Sequence, residues 1–261
     1  MEKNEKHILI LSDFVGYGNV AMATSRGVLT KMGHRVYCLP TALISNTWNF
    51  GPCAQLDTTG YLKAALENWD KLGFRFDGVL LGYIADENQA AFLAEQCESW
   101  HRAGVPIFLD PIFADNGKLY RGITQERLDF LKNLLRQVDF VLPNLTEAQF
   151  LTGEADPCRA LRGLMELGAR GAAITGVPLG EENAVLLALG AETETLPYTP
   201  IPGNFSGAGD AFTALFTGGI LSGKSPRESA QTAIRTTKQW IQQSLTTPSA
   251  IIGLPVERYF G

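Results

Sequence analysis

Gly207-Ala208-Gly209-Asp210 is the stretch of this chain best suited to chemistry. It runs into a segment whose apolar residues, Phe212, Leu215, Phe216 and Ile220, recur at helical spacing, which predicts a helix with one buried face. Gly207 and Gly209 clear side chains from the turn, so backbone N–H groups can point together at an anion. The helix N-terminus adds unpaired donors and partial positive charge. Asp210 falls in the first turn. Amides that stabilise charge on a moving phosphoryl group, with an acid that takes the proton from an attacking hydroxyl, are the parts phosphoryl transfer needs. The same residues also fit an ordinary glycine-rich helix start whose Asp favours the dipole.

Other candidates sit just past strand ends. Asp110 follows Ile107-Phe108-Leu109, and open α/β sheets bind ligands beyond the carboxyl ends of their strands. Asn144 and Glu147 follow Phe140-Val141-Leu142 in the same way. Gly16-Tyr17-Gly18-Asn19-Val20-Ala21 matches the shortened dinucleotide fingerprint. The strand after it, read as 35–39, leads to Pro40-Thr41 with no carboxylate to hold a ribose, which argues against a nicotinamide or flavin site.

The elements that must position these residues alternate along the chain. Strands are expected over 7–11, 35–39, 77–83, 107–109, 140–142, 171–175 and 184–189, with an edge strand over 192–196. Between them helices are expected over 20–32, from the cap Asp57 to 72, from Asp86-Glu87-Asn88-Gln89 to 102, from the cap Thr124 to 135, through 151, and over 158–167. Residues 12–19 read as a loop, and 41–56, with Trp48 and Pro52, as a longer one of the length of a binding loop or lid. Asp115-Asn116-Gly117 reads as a turn. Ser225-Pro226-Arg227-Glu228 is a strong helix start, and its helix carries Ala230, Ala233, Ile234 and Ile241 on one face. Strand–helix alternation without repeats or linker predicts one α/β domain over 1–261, a mostly parallel sheet with helices on both faces.

Composition narrows the function classes. At 261 residues, 45% hydrophobic and 19% charged, the chain has ample core. A net charge of -5 without a basic cluster argues against nucleic acid as the main partner. The start, 1–6, is polar, and the apolar run 8–11 is too short for a signal peptide or membrane span. The 4 cysteines have no metal or redox spacing, and the 3 histidines form no motif; reduced thiols in a cytoplasmic protein are the simplest reading.

Taken together, Ser12, the run from Asp110-Pro111 to Tyr120, Asn144-x-x-Glu147 and Gly207-Ala208-Gly209-Asp210 resemble the ribokinase-like superfamily, most closely its pyridoxal kinase branch. Asp110-Pro-Ile-Phe-Ala-Asp-Asn-Gly-Lys-Leu-Tyr120 is similar to that branch's Asp-Pro-Val-Met-Gly-Asp-Asn-Gly-Lys-Leu-Tyr. Pro143-Asn-Leu-Thr-Glu-Ala-Gln-Phe-Leu-Thr-Gly153 is similar to its Pro-Asn-Gln-Phe-Glu-Ala-Glu-Leu-Leu-Thr-Gly.

The resemblance implies a single-domain three-layer α/β sandwich and an ATP-dependent kinase acting on the 5′-hydroxymethyl group of a B6 vitamer. It implies Asp210 as the base and Gly207, Ala208 and Gly209 as the anion hole. Asn144, Glu147, Thr175 and Asp115 fall at nucleotide positions, with Asp110 and Glu147 serving Mg²⁺ largely through water. Ser12, Thr47, Trp48 and Tyr83 fall on the substrate side. Mg²⁺ with few protein ligands beside phosphates is chemically apt. A homodimer follows only from the family's habit, and a need for K⁺ stays open. The family often carries Ser-Asn-His-Thr-Gly-Tyr where this chain has Ser45-Asn46-Thr47-Trp48-Asn49-Phe50, so its substrate-touching Thr falls opposite Trp48, or Thr47 if the loop shifts by one. Rival readings are the same fold acting on hydroxymethylpyrimidine or a sugar, with Asp13 binding sugar hydroxyls, and a binding protein that has lost catalysis.

Overall fold

A computed structural model describes residues 5–245, 253–254 and 256–259; the first four residues of the polar start lie outside these. The chain divides into two compact units, Met1–Gly82 with Ile201–Gly261, and Tyr83–Pro200.

In the first unit, β1 (His7–Tyr17) pairs in parallel with β2 (Arg35–Asn46) and with β4 (Gly78–Leu81), while β3 (Gln55–Asp57) pairs antiparallel with β2. Ile8 to Leu11 are fully buried, as a parallel strand covered on both faces requires. Helices α1 (Ala21–Lys31) and α2 (Thr59–Lys71) alternate with these strands, and α7 (Ala208–Leu221) and α8 (Pro226–Ser244) close the unit.

Four expectations change here. The strand expected over 7–11 continues to Tyr17, because its far half pairs with an equally extended β2 through Phe14–Leu43, Val15–Ile44 and Tyr17–Asn46, after a register shift between Ser12 and Phe14. Most of the expected loop 41–56 is therefore a hairpin of β2 and β3, with a single 3₁₀ turn, Trp48–Phe50, at its tip. β2, even at this length, carries no carboxylate, so the dinucleotide fingerprint still lacks its partner. Helix α7 is buried from Ala211 to Gly219 on every side rather than on one face, with Ile220 only half-buried. On α8 the buried stripe is Ala230, Ala233, Thr237, Trp240 and Ser244, so Ala230 and Ala233 lie on it as expected while Ile234 and Ile241 flank it half-buried.

In the second unit, β5 (Ile107–Leu109), β8 (Phe140–Val141) and β9 (Gly171–Leu179) are parallel, and β10 (Glu182–Leu189) and the edge strand β11 (Glu192–Tyr198) continue antiparallel. Helices α3 (Glu87–Arg102), α4 (Gln125–Leu134), α5 (Leu145–Thr152) and α6 (Pro157–Glu166) alternate with the parallel strands. The expected turn is the tip of a small hairpin, β6 (Ala114–Asp115) and β7 (Lys118–Leu119), with Asn116 and Gly117 both at positive φ. The alternation and the mostly parallel pairing agree with the α/β expectation.

Candidate active site

Asp210 is the third residue of α7, whose cap Gly207 is left-handed at φ 83. A Cβ at 207 would stand 2.8 Å from the Asn19 carbonyl oxygen, so only glycine fits where α7 meets the turn before α1. The Ala208 N–H is taken by the Phe205 carbonyl at 3.1 Å, whereas the N–H groups of Gly209 and Asp210 meet no acceptor among the described residues. A Cβ on Gly209 would meet nothing within 4 Å, so the backbone there is open to approach.

The Asp210 carboxylate accepts from the Ala21 N–H at Oδ2, 2.8 Å, and Oδ1 has no partner among the described residues. Burial pushes its carboxyl up from 3.8 to about 6, against the pull of that N–H. Ala21 is held at φ 49, a strained conformation for a residue with a side chain, and such strain collects at working sites. The result is a desolvated acid with one free oxygen at a helix N-terminus.

Ser12 and Asp13 lie in the same unit and are almost fully buried, and the Ser12 hydroxyl donates to Asp13 Oδ1 at 3.1 Å. Thr47 stands half-buried at the hairpin tip, its N–H on the Tyr17 carbonyl and its hydroxyl buried without a partner. Trp48 is half-buried rather than in the core. The next residue ties the hairpin to the glycine turn: Asn49 Nδ2 donates to Ser206 Oγ at 3.0 Å. Nothing in the sequence marks Asn49 or Ser206.

The second unit gathers Asn144, Glu147, Thr175 and Asp115. Asn144 caps α5 and forms a capping box with Glu147. Glu147, 2% exposed, accepts from Phe113 N–H (2.9 Å) and Ala114 N–H (3.4 Å) at Oε1 and from Asn144 N–H (2.9 Å) at Oε2. Asn144 Nδ2 reaches the Ala114 carbonyl at 2.8 Å. Both residues thus fasten the segment after β5, in which Ile112 sits at φ 40, a costly conformation for a β-branched side chain. Burial raises the Glu147 carboxyl to about 7, the three amides opposing and the Asp115 charge adding to the rise.

Asp110 is half-buried at the end of β5, and Asp115 accepts from its neighbour Asn116 through both oxygens. Thr175 bridges to Asn144, its N–H on the Pro143 carbonyl at 3.0 Å. Tyr83, also in this unit, is 4% exposed under the Arg127 guanidinium, which stands 4.9 Å from the ring centroid and donates to the Ile84 carbonyl. Sequence reading passed over Arg127. Its place on the stripe Arg127, Leu131 and Leu134 of α4 is the signal that marks it as buried.

No group of three or more His, Cys, Asp or Glu is poised for a metal among the described residues. Glu147, its oxygens taken by three amides, could meet a metal only through water, an arrangement compatible with Mg²⁺, which keeps its waters. No helix among the described residues is long and apolar enough to cross a membrane.

Comparison with known proteins identifies the family. Residues 74–252 match the pfkB family of carbohydrate kinases. The chain is 25% identical over 249 residues to a pyridoxal kinase of Corynebacterium diphtheriae, covering 88% of this chain and 85% of that one. It is 26% identical over 243 residues to a pyridoxine/pyridoxal/pyridoxamine kinase of Bordetella bronchiseptica, covering 87% and 85%. A Bacteroides thetaiotaomicron protein provisionally named phosphomethylpyrimidine kinase superimposes with a TM-score of 0.90 at 27% identity, covering 98% of this chain and 93% of its own. A second crystal form of it, with a TM-score of 0.89, contains pyridoxal. The chain belongs to the pfkB family of carbohydrate kinases, enzymes that phosphorylate an alcohol group, and falls in their pyridoxal kinase branch.

Proposed function

We propose that the protein transfers the terminal phosphoryl group of ATP to the 5′-hydroxymethyl oxygen of a B6 vitamer. The observation that carries the reading is Asp210: a desolvated carboxylate with a free oxygen, beside two unpartnered N–H groups of a helix start. Its Oδ1 would accept the hydroxyl proton as the oxygen attacks phosphorus, and the Gly209 and Asp210 amides would hold the charge on the moving group. A carboxyl raised towards neutrality is a better proton acceptor than an ordinary Asp.

Ser12, Thr47, Trp48 and Tyr83 would bind the vitamer, and Asn144, Thr175 and Asp115 the nucleotide. Mg²⁺ would be held by Asp110, with Glu147 in its outer shell, and would supply neutralisation of phosphate charge. The names of the curated relatives and the pyridoxal in the Bacteroides structure support the vitamer as substrate. A cytoplasmic homodimer belongs to the same reading.

A second reading, a sugar as acceptor, is favoured by the buried Asp13 after the first strand, placed where an acid can take hydroxyl groups. ADP release measured with pyridoxal, pyridoxamine, pyridoxine, hydroxymethylpyrimidine and ribose separates the two. The highest kcat/KM should fall on a vitamer; a preference for ribose or hydroxymethylpyrimidine overturns the vitamer assignment. The same assay without Mg²⁺, or without K⁺, reports each ion's need.

A further inference from the structure

The start of α1 holds a conformation that its own residues do not explain. Ala21 stands at φ 49, and Val20, in the cap position, supplies no side-chain hydrogen bond. A left-handed alanine persists only where its surroundings impose it. The Asp210 carboxylate takes the Ala21 N–H, which leaves the turn itself to be placed by other contacts.

Those contacts converge on Asn19. Its carbonyl oxygen accepts from Thr24 Oγ1 at 2.8 Å, and two glycines from distant parts of the chain pack against it. A Cβ on Gly207, at φ 83, would stand 2.8 Å from that oxygen, and a Cβ on Gly253, at φ 119, would overlap both the oxygen and the carbonyl carbon. Gly253 forms a parallel bridge with Asn19, and Asn19 Nδ2 donates to the Leu254 carbonyl at 3.3 Å. Leu254 in turn gives its N–H to the Ser206 carbonyl at 3.1 Å. Leu254 and Val256 are fully buried, and Val256 lies on α1 beside Gly27, where a Cβ would stand 3.2 Å from Val256 Cγ2. The end of the chain thus ties the turn before α1 to the glycine turn before α7, the two pieces of backbone that meet at Asp210.

We propose that the C-terminal segment, through Gly253, Leu254 and Val256, is a positioning element of the transfer site, and that Asn19 is the residue through which it acts. Held by the segment, Asn19 sets the Ala21 N–H against Asp210 Oδ2, which leaves Oδ1 to meet the acceptor's hydroxyl. The Ser206 contact fixes the glycine turn that carries the Gly209 and Asp210 amides. The role of these residues is to place groups, not to react. The proposal rests on Asp210 as the kinase base and not on which alcohol is used.

The test compares Asn19→Ala and Gly253→Ala with Gly73→Ala, which strains a left-handed turn after α2 at φ 75 and puts its Cβ near nothing within 4 Å. With the best acceptor among the five alcohols, kcat should fall roughly tenfold in Asn19→Ala and roughly a hundredfold in Gly253→Ala, the cost of a displacement of about 1 Å at a reacting group. KM for ATP and for the alcohol should stay within about twofold of wild type. The acid limb of kcat/KM should move up from about 6 by on the order of one pH unit in both variants, because a carboxylate that loses an N–H donor holds its proton more tightly. Asp13 of β1, the acid that feels the Asp210 charge, is unaltered in all of them. Gly73→Ala should lower Tm and leave kcat and the limb in place. Amide hydrogen exchange gives a reading that needs no activity: the Ala21 and Leu254 amides should lose protection together in Asn19→Ala, by roughly tenfold or more. An acid limb that stays at its wild-type pH, or an Ala21 amide as protected as in wild type, overturns the proposal. Should Gly253→Ala not fold, Asn19→Ala decides by the same readings. If no alcohol is phosphorylated, the kinase reading fails on its own, and exchange at Ala21 still decides whether the segment places that amide.

Discussion

Each unit places a carboxylate at the third position of a helix, Glu147 buried and Asp210 half-buried, and the two are treated in opposite ways. Glu147 of α5 accepts three backbone N–H bonds; Asp210 of α7 accepts one and leaves an oxygen free. Both adjoin a strained residue, Ile112 at φ 40 before the amides Glu147 holds and Ala21 at φ 49 giving the amide Asp210 holds. In the second unit the hydrogen bonds over-determine the strain, so that Glu147 works as a pin for the segment after β5. In the first unit the acid keeps Oδ1 without a donor, so one oxygen is open to a proton from outside, although burial raises both carboxyls. Burial alone does not distinguish a structural acid from a chemical one. The number of donors on it does.

Removing the chemical acid should produce the largest effect and break the comparison if it does not. Asp210→Asn should lose roughly 10²–10⁴ in turnover, the usual worth of a positioned base, while still binding ATP. Its stability should not suffer. The wild-type carboxyl is raised, so the folded state binds its proton more tightly than the unfolded chain, and stability is lost as pH rises from about 4 through about 6. At neutral pH the amide avoids that loss, and Tm should equal or exceed wild type. Near-full activity in a rapid-quench assay would remove Asp210 from the chemistry.

Glu147→Gln should invert the pattern. The amide nitrogen would face N–H groups now accepted by an oxygen, costing about 2–3 kcal/mol, or a Tm lower by about 4–12 °C for a chain this size. The affinity for nucleotide should fall with it, because the capping box and the segment after β5 loosen together. A variant as stable as wild type would mean that the three bonds are not what holds Ile112 in place.

How far the sequence carried this picture depends on the range of the interaction. The caps at Asp86, Thr124, Asn144, Asp156 and Ser225 are local, and each accepts the backbone N–H three residues on. The glycine turn and Asp210 were legible for the same reason. The length of β1 was not, since Phe14 to Tyr17 are strand only because β2 continues beside them, a pairing set by residues some thirty positions away. The all-round burial of α7 was hidden because Thr213, Thr217, Gly218 and Gly219 read as a polar or neutral face, yet they pack against α1 and α8 through small side chains. The N–H donated by Ala21, the Asn49–Ser206 bond and the Arg127 lid over Tyr83 all join distant segments through single atoms. No periodicity or spacing carries such contacts.

The hairpin of β2 and β3 sharpens the comparison, because it belongs to the unit with the unsatisfied acid. If its tip faces the acceptor, Trp48→Ala and Thr47→Ala should raise KM for the vitamer several-fold, on the order of 1 kcal/mol, and leave KM for ATP nearly unchanged. Equal shifts would mean that the tip is a structural connection.

The smallest effect is expected from the bond between Asn49 Nδ2 and Ser206 Oγ, which is exposed and neutral and so contributes about 0.5–1 kcal/mol. Asn49→Ala should raise vitamer KM by roughly two- to fivefold, Ser206→Ala should do the same, and the double variant should be no worse than either, since the two remove one contact. Additive losses would show that the residues act separately. The ratio of ADP formed to alcohol phosphorylated adds a reading that a merely structural tie would not move. With the tip released from the glycine turn, water gains access to the arriving phosphoryl group, and that ratio should rise above one in all three variants. A ratio held at one would place the hairpin outside the path of water, and would leave the free oxygen of Asp210 and its two neighbouring amides as the whole of what the first unit contributes to transfer.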